Sequence, residues 1–540
     1  MKFGLTAICL LLALPVLGVL GAWFVPDSGS LDVLRHQAST VLPGYAGQSA
    51  LLALGVGVGV TLLGSALAAA VALFEFPGRR HFEWALLLPL AMPAYVLAYA
   101  WTDALQFSGP LQTALRAAFG LQGALWPDVR SLPGATVLFV CCLYPYVYLL
   151  ARAALAERAA ALLEAARLLG AGTRRRLLDV ALPLARPAVV AGAALALMET
   201  LADYGVGAYF GLTTFSTGIY KAWLVMNDRI AAAQLASLLL VLVALLIAAE
   251  RLARRRMRFA APRGGARAAA DSRPHTLHGA AAAAAVTLCV LPVLLGFVLP
   301  VAWLGRLLWL EATSSEFGLP LARFAEWAWA SFRIAAVSSL AATALALALG
   351  FVLRQGRGRA LPAAARLLSL GYAIPGAVVA VGILLPVGWV QQRWPEAPLA
   401  AIVTGTVVGL LYACLARFSA VALQSVEAGY ARLPPALDES ARLLGAGTPR
   451  LFARVHFPLL RRSALAAALL VFVDVMKELP ATLVLRPFGV DTLAVVAYNF
   501  ARDERLAEAA LPSLAIVAVG LVPVLMLARA MRSSGGGGGR

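Results

Sequence analysis

Four acidic residues stand where acids are costly. Glu199 and Asp203 lie four residues apart in one apolar run, and Asp474 and Glu478 lie four apart in another. An i,i+4 spacing puts both members of a pair on one helix face. Carboxylates inside a membrane span are expensive and usually functional. Four of them facing one axis would make an anionic path, suited to hard divalent or trivalent cations, which prefer oxygen ligands, or to organic cations. If the span begins near Pro187, Glu199 lies about 18 Å and Asp203 about 24 Å along it, in the outer half of a bilayer. A structural reading stands beside this one: Lys477 neutralises a neighbouring acid, and the pairs cap helix ends near the outer interface.

Other chemistry is sparse. Cys9, Cys141, Cys142, Cys289 and Cys414 sit in apolar stretches without C-x-x-C spacing, so neither a disulfide framework nor a thiolate metal site is indicated. His275 and His278 are the only closely spaced histidines, and they lie in a polar stretch read as solvated loop. No stable metal site and no bound cofactor are expected, only transient contact of a cation with the four acids. A phosphate-binding loop ends Gly-Lys-Ser/Thr. The three lysines, Lys2, Lys221 and Lys477, follow Met1, Tyr220 and Met476, so ATP hydrolysis is not expected on this chain.

The elements that position these acids follow from hydropathy. Of 540 residues 61% are hydrophobic and 13% charged, with a mean hydropathy of +0.83, far from soluble composition. The net charge of +18 falls in short arginine blocks between apolar runs, an arrangement that argues for membrane topology and against nucleic-acid binding. Runs long enough to span lie near 5–24, 50–74, 84–104, 133–154, 187–207 and 232–250, and again near 281–305, 331–353, 366–390, 398–416, 463–485 and 509–530. The first is read as a spanning helix rather than a cleaved signal. With an inside N-terminus, every block of adjacent arginines falls on the cytoplasmic side (Arg79-Arg80, Arg174 to Arg176, Arg254 to Arg256, Arg461-Arg462), and both termini are expected there.

The chain divides into a first half (1–250), a linker rich in Arg, Ala, Gly and Pro (251–278), a second half (279–532) and a Gly-rich tail (533–540) expected to be disordered. The halves repeat. Ala166-Arg-Leu-Leu-Gly-Ala-Gly-Thr173 recurs identically at 441–448, and the same offset relates Pro183 to Pro458, Glu199 to Asp474 and Asp203 to Glu478. Matched glycines, prolines and acids at one offset indicate duplication.

Within each repeat a connecting segment reads Glu164-Ala165-Ala166-x3-Gly170-x9-Val180-x-Leu182-Pro183 and Glu439-Ser440-Ala441-x3-Gly445-x9-Val455-x-Phe457-Pro458. A good helix former ends at a glycine suited to a left-handed stop, and a second short helix is expected to end before the proline. The pattern resembles the EAA loop of ABC-importer permeases, departing by Val180 in the first copy and by Ser440, Val455 and Phe457 in the second. That resemblance implies an all-α polytopic membrane protein of about twelve transmembrane helices, two tandem six-helix repeats of the type I ABC-importer permease fold. It also implies that the elbows at 158–187 and 433–462 dock on two copies of a cytoplasmic ABC ATPase, which binds the ATP, with Glu164, Ala165, Ala166, Gly170, Pro183, Glu439, Ala441, Gly445 and Pro458 as the coupling residues.

Three stretches resemble the ferric-iron permeases of periplasmic-binding-protein importers: Glu199-Thr-Leu-Ala-Asp203-Tyr-Gly205, Lys477-Glu-Leu-Pro-Ala-Thr482, and Asp503-Glu-Arg-Leu-Ala-Glu-Ala-Ala510. The resemblance implies import of ferric ion across the bacterial inner membrane, delivered by a periplasmic binding protein near Phe215–Tyr220 and Arg486–Thr492. Thiamine and polyamine permeases share the layout, so another small cation stays open. A secondary transporter is the rival of another class, and it has no need of two elbows.

Overall fold

The computed structural model describes residues 2–21, 23, 30–155, 166, 169–172, 175–259, 275–314, 318–356 and 358–535. Apolar runs fold as helices because a span must satisfy its own backbone hydrogen bonds. Ten long helices form the framework: α1 (Lys2–Gly21), α2 (Leu42–Leu73), α3 (Leu132–Ala154), α4 (Leu182–Ala202), α5 (Arg229–Phe259), α6 (Gly279–Ser314), α7 (Leu321–Arg354), α8 (Val408–Tyr430), α9 (Phe457–Met476) and α10 (Leu506–Gly535). Strand among the described residues is confined to Phe74–Glu75 pairing in parallel with His275–Thr276.

Nine of the described helices are long and apolar enough to cross a membrane, or up to eleven if two bent pairs each count as a span. The expectation of about twelve straight runs differs for identifiable reasons. The runs at 84–104 and 366–390 are broken, by 90° between Arg79–Ala91 and Ala94–Phe119 and by 119° between Ala360–Ala373 and Gly376–Arg393. Each break falls at a proline. Pro93 and Pro375 push Met92 and Ile374 into extended backbone (ψ 110° and 124°), as the residue before proline prefers. The run at 398–416 divides into Leu399–Gly405 and α8. Helix α9 has 20 residues but carries Arg461, Arg462 and Asp474, too many charges for an apolar span.

The expected linker and tail differ in extent. Helix α5 continues to Phe259, His275–Thr276 is already in the strand pair, and α10 runs to Gly535. Residues 260–274 and 536–540 lie outside the described residues.

The chain forms two compact units, and neither is a contiguous stretch. The first comprises residues 1–39, 218–240 and 320–496, the second residues 40–217, 241–319 and 497–540. In the first unit α7, α8 and α9 pack on one another, and α1 lies against Ala360–Leu368 and Gly376–Arg393. In the second unit α2, α3 and α4 pack on one another, and the C-terminal part of α6 lies against α10. Each unit thus takes a three-helix core from one sequence half and terminal helices from the other.

Small residues let these helices close. Along α2, a Cβ on Gly55, Gly59 or Gly64 would meet Thr136, Val140 or Val147 of α3 at 2.8, 2.3 or 2.7 Å. A Cβ on Gly382 would lie 1.9 Å from the Pro15 carbonyl of α1. Close backbone approach at small residues is how helices associate where lipid removes the hydrophobic drive.

Candidate functional site

The elbows come first. In the second copy Ala436–Leu443 is a short helix holding Glu439 and Ala441, and it stops at Gly445 with φ +79°. Ala446 N donates to Ala441 O and Gly445 N to Arg442 O, both at 2.9 Å. This is a Schellman stop, which needs a left-handed residue where glycine pays no Cβ penalty. The first copy repeats it: Gly170 has φ +78° and Ala171 N donates to Ala166 O at 3.0 Å. Glu164 and Ala165 lie outside the described residues. Each stop displays a leucine in solvent, Leu169 at 87% and Leu444 at 88% exposure, residues that sequence reasoning passed over.

The helix after each elbow does not end at the proline as expected. Residues Arg176–Ala181 and Leu451–His456 form π-helical turns that run on into α4 and α9, with Pro183 and Pro458 in the first turn of the α-helical part. The wider turn is a common local answer to a residue that cannot donate a hydrogen bond. The segment after each glycine stop, described from Arg175 in the first copy and from Thr448 in the second, is therefore continuous with the membrane helix that carries the acids.

A polar clamp fixes the second elbow. Arg354, the last residue of α7, binds Asp438 of the elbow helix through Nε (2.7 Å) and Nη2 (3.3 Å) and donates to the carbonyls of Tyr430, Leu433 and Pro434. His456 Nε2 lies 2.9 Å from Asp438 Oδ1, and Tyr430 Oη 3.3 Å from His456 Nδ1. Burial pushes the Asp438 carboxyl up, but the hydrogen bonds from Arg354 and His456 outweigh it and hold it below the usual carboxylate range. At the matching position Arg79 instead pairs with Glu75 (2.5 Å) and donates to Val71 O, and Arg152 pairs with Glu83 (3.1 Å).

The four acids split by unit, Glu199 and Asp203 in the second and Asp474 and Glu478 in the first. Their i,i+4 helix face is interrupted, because α4 ends at Ala202 and α9 at Met476. The second acid of each pair begins a new short helix. Asp203 Oδ1 accepts from Val206 N (2.8 Å) and Glu478 Oε1 from Ala481 N (2.9 Å), a cap three residues ahead in both copies. The helix also starts earlier than Pro187: counted from Leu182, Glu199 lies about 26 Å along it. In the first unit both acids meet cations. Asp474 pairs with Lys477 at 2.9 Å, and Glu478 pairs with the buried Arg417, which also donates to Ile374 O at 3.2 Å. Arg417 went unnoticed in the sequence. Its counterpart at the repeat offset is Cys142, whose thiol donates to Met92 O at 3.4 Å. Thus each unit ties down the carbonyl before its proline bend, but only the first brings a charge to do so. Among the described residues no three His, Cys, Asp or Glu side chains converge as a metal site.

Residues 60–259 match the model of the family described as binding-protein-dependent transport system inner membrane component. The chain is 23% identical over 539 residues to the Fe(3+)-transport system permease protein FbpB 2 of Haemophilus influenzae, covering 97% of this chain and 98% of that relative. By that match residues 60–259 form a binding-protein-dependent transport inner membrane component domain. Other permeases of the family match shorter stretches. The putative 2-aminoethylphosphonate transport system permease protein PhnU of Salmonella choleraesuis is 28% identical over 198 residues, 36% of this chain and 69% of PhnU. The molybdenum transport system permease protein ModB of Escherichia coli is 31% identical over 130 residues, 24% of this chain and 55% of ModB. The matched family and the named relatives are transport permeases.

Proposed function

We propose that this permease carries ferric iron into the cytoplasm for an ATP-driven importer. Two copies of a separate ABC ATPase would supply the power, and a periplasmic binding protein would deliver the ion. The observation that carries the ATP-driven part is the pair of glycine-stopped elbows, identical over eight residues and each followed by a segment continuous with an acid-bearing helix. In this reading the elbows face the cytoplasm with both termini, Leu169 and Leu444 enter grooves on the ATPase, and Glu164 and Glu439 hold the elbow or contact the ATPase. Motion of the nucleotide-binding subunits would reach α4 and α9 through the π-helical turns Arg176–Ala181 and Leu451–His456, which run on into them.

The substrate rests on separate support. The relatives' names span Fe(3+), 2-aminoethylphosphonate and molybdenum, so membership of the family does not choose among them. The iron reading draws on the relative matched over nearly its full length and on acids at the ends of both α4 and α9. Of these, Asp474 and Glu478 have their charges met by Lys477 and Arg417.

The test is reconstitution of the chain with its ATPase in liposomes. Addition of ferric-loaded binding protein should stimulate ATP hydrolysis and accumulate iron inside, and Leu169→Asp with Leu444→Asp should release the ATPase. Uptake that continues without ATP and collapses with the proton gradient would end the ATP-driven reading. Stimulation by thiamine- or polyamine-loaded protein alone would end the iron reading.

A further inference from the structure

The second unit, which holds Asp203, gathers tyrosines from three separate segments. The rings of Tyr99 and Tyr209 meet edge to face at 4.9 Å, Tyr95 and Tyr99 at 5.8 Å, and Tyr204 and Tyr498 at 5.9 Å. The Tyr498 hydroxyl donates to the Tyr204 hydroxyl at 3.4 Å, long for an O–H···O bond. Tyr204 follows Asp203 directly in the chain. Tyr99 is 1% exposed, its hydroxyl has no hydrogen-bond partner among the described residues, and Asp203 and Tyr498 both lie within its electrostatic reach. A buried phenol without an internal partner costs free energy and keeps a full donor and acceptor capacity for a ligand.

The first unit has no such cluster at the equivalent positions. At the repeat offset Tyr204 and Tyr209 become Leu479 and Val484, and Asp203 becomes Glu478, held by Arg417. Two cations lie by the tyrosines: Arg130 donates to the Tyr209 hydroxyl at 3.1 Å and stacks on its ring while pairing with Glu504 at 2.8 Å, and Arg502 lies within electrostatic reach of Tyr498.

We infer that Asp203, Tyr204 and Tyr498, backed by Tyr99, form an oxygen-only station through which a hard trivalent cation passes, so that the ligands of the path come from one unit and not equally from both. The inference rests on the iron reading above. Carboxylate and phenolate oxygens are the hard donors such an ion prefers. Each phenol that coordinates gives up its proton on binding and recovers it on release, as ligand deprotonation requires. An organic cation would use the ring faces instead and would not need the hydroxyls.

Tyrosine-to-phenylalanine substitution separates these cases, because it removes the hydroxyl and keeps the ring. The complete transporter, with ATPase and ferric-loaded binding protein, is reconstituted as wild type, as Tyr99→Phe/Tyr204→Phe/Tyr498→Phe, and as Asp203→Asn, which keeps a cap acceptor. Elution from gel filtration checks the fold. Iron uptake should fall on the order of ten-fold in the triple variant, and gallium(III) should perturb the tyrosine ultraviolet spectrum of the wild type but not of the triple variant. Unchanged iron uptake by the folded triple variant overturns the station while leaving the iron reading intact. A wild type that moves no iron overturns both.

Discussion

At the scale of residues, single backbone and charge choices decide the geometry. Gly170 and Gly445 hold φ near +78°, with open space where a Cβ would sit, so the cost of replacing them is conformational and not steric. Gly445→Ala should weaken the elbow by about 1 kcal/mol. Overall stability should move little, whereas ATPase stimulation by binding protein should drop, and Gly170→Ala/Gly445→Ala should drop it further. Equal loss of melting temperature and coupling would mean that the elbow merely stabilises the fold. The acids show the same economy. Asp203 and Glu478 each cap the next helix, so the structural reading of the carboxylates and the transport reading occupy the same atoms.

At the scale of elements, the second elbow is held by charge. Asp438 joins the elbow helix to the ends of α7 and α8 through Arg354 and to α9 through His456. Because its folded-state pKa is depressed, the stability it contributes is complete above the ordinary carboxylate value and is lost as pH falls through the lower folded value. The protein in detergent should therefore lose melting temperature below about pH 4, and Asp438→Asn should remove about 2 kcal/mol at neutral pH while flattening that acid limb. A variant with the wild-type acid limb would show that other carboxylates set it. At this scale the sequence was legible in part. The duplicated glycine and proline positions are printed in it, and so is the elbow. The π-helical turns that carry the helix through Pro183 and Pro458 are not, since a proline reads as a stop until packing supplies a reason to continue.

At the scale of the whole molecule, the two compact units exchange parts across the midpoint of the chain. Helix α1 packs on Gly376–Arg393 at a contact too close for any side chain on Gly382, and α6 packs on α10 within the unit built on α2, α3 and α4. A chain cut in the 260–274 segment should therefore behave asymmetrically with context. Residues 1–265 expressed alone should leave α1 without its partners and yield aggregated protein, whereas both pieces expressed together should co-purify as one species of wild-type size. Two pieces that each purify as stable monomers would refute the exchange.

The sequence by itself determined that this is a helical membrane protein, that its two halves repeat, that a glycine-stopped segment recurs in each, and which four acids correspond between them. Those features are local: apolar run length, fixed spacing and residues with restricted backbones carry them. Only the tertiary structure decided where the spans bend, that Glu478 is paired with Arg417 sixty-one positions away, that tyrosines from three separate segments cluster in the unit that holds Asp203, and that α1 joins the opposite half. Charge pairing, aromatic clustering and helix exchange depend on neighbours distant in the chain. Periodicity reports which face of a helix is apolar, but not which helix it meets.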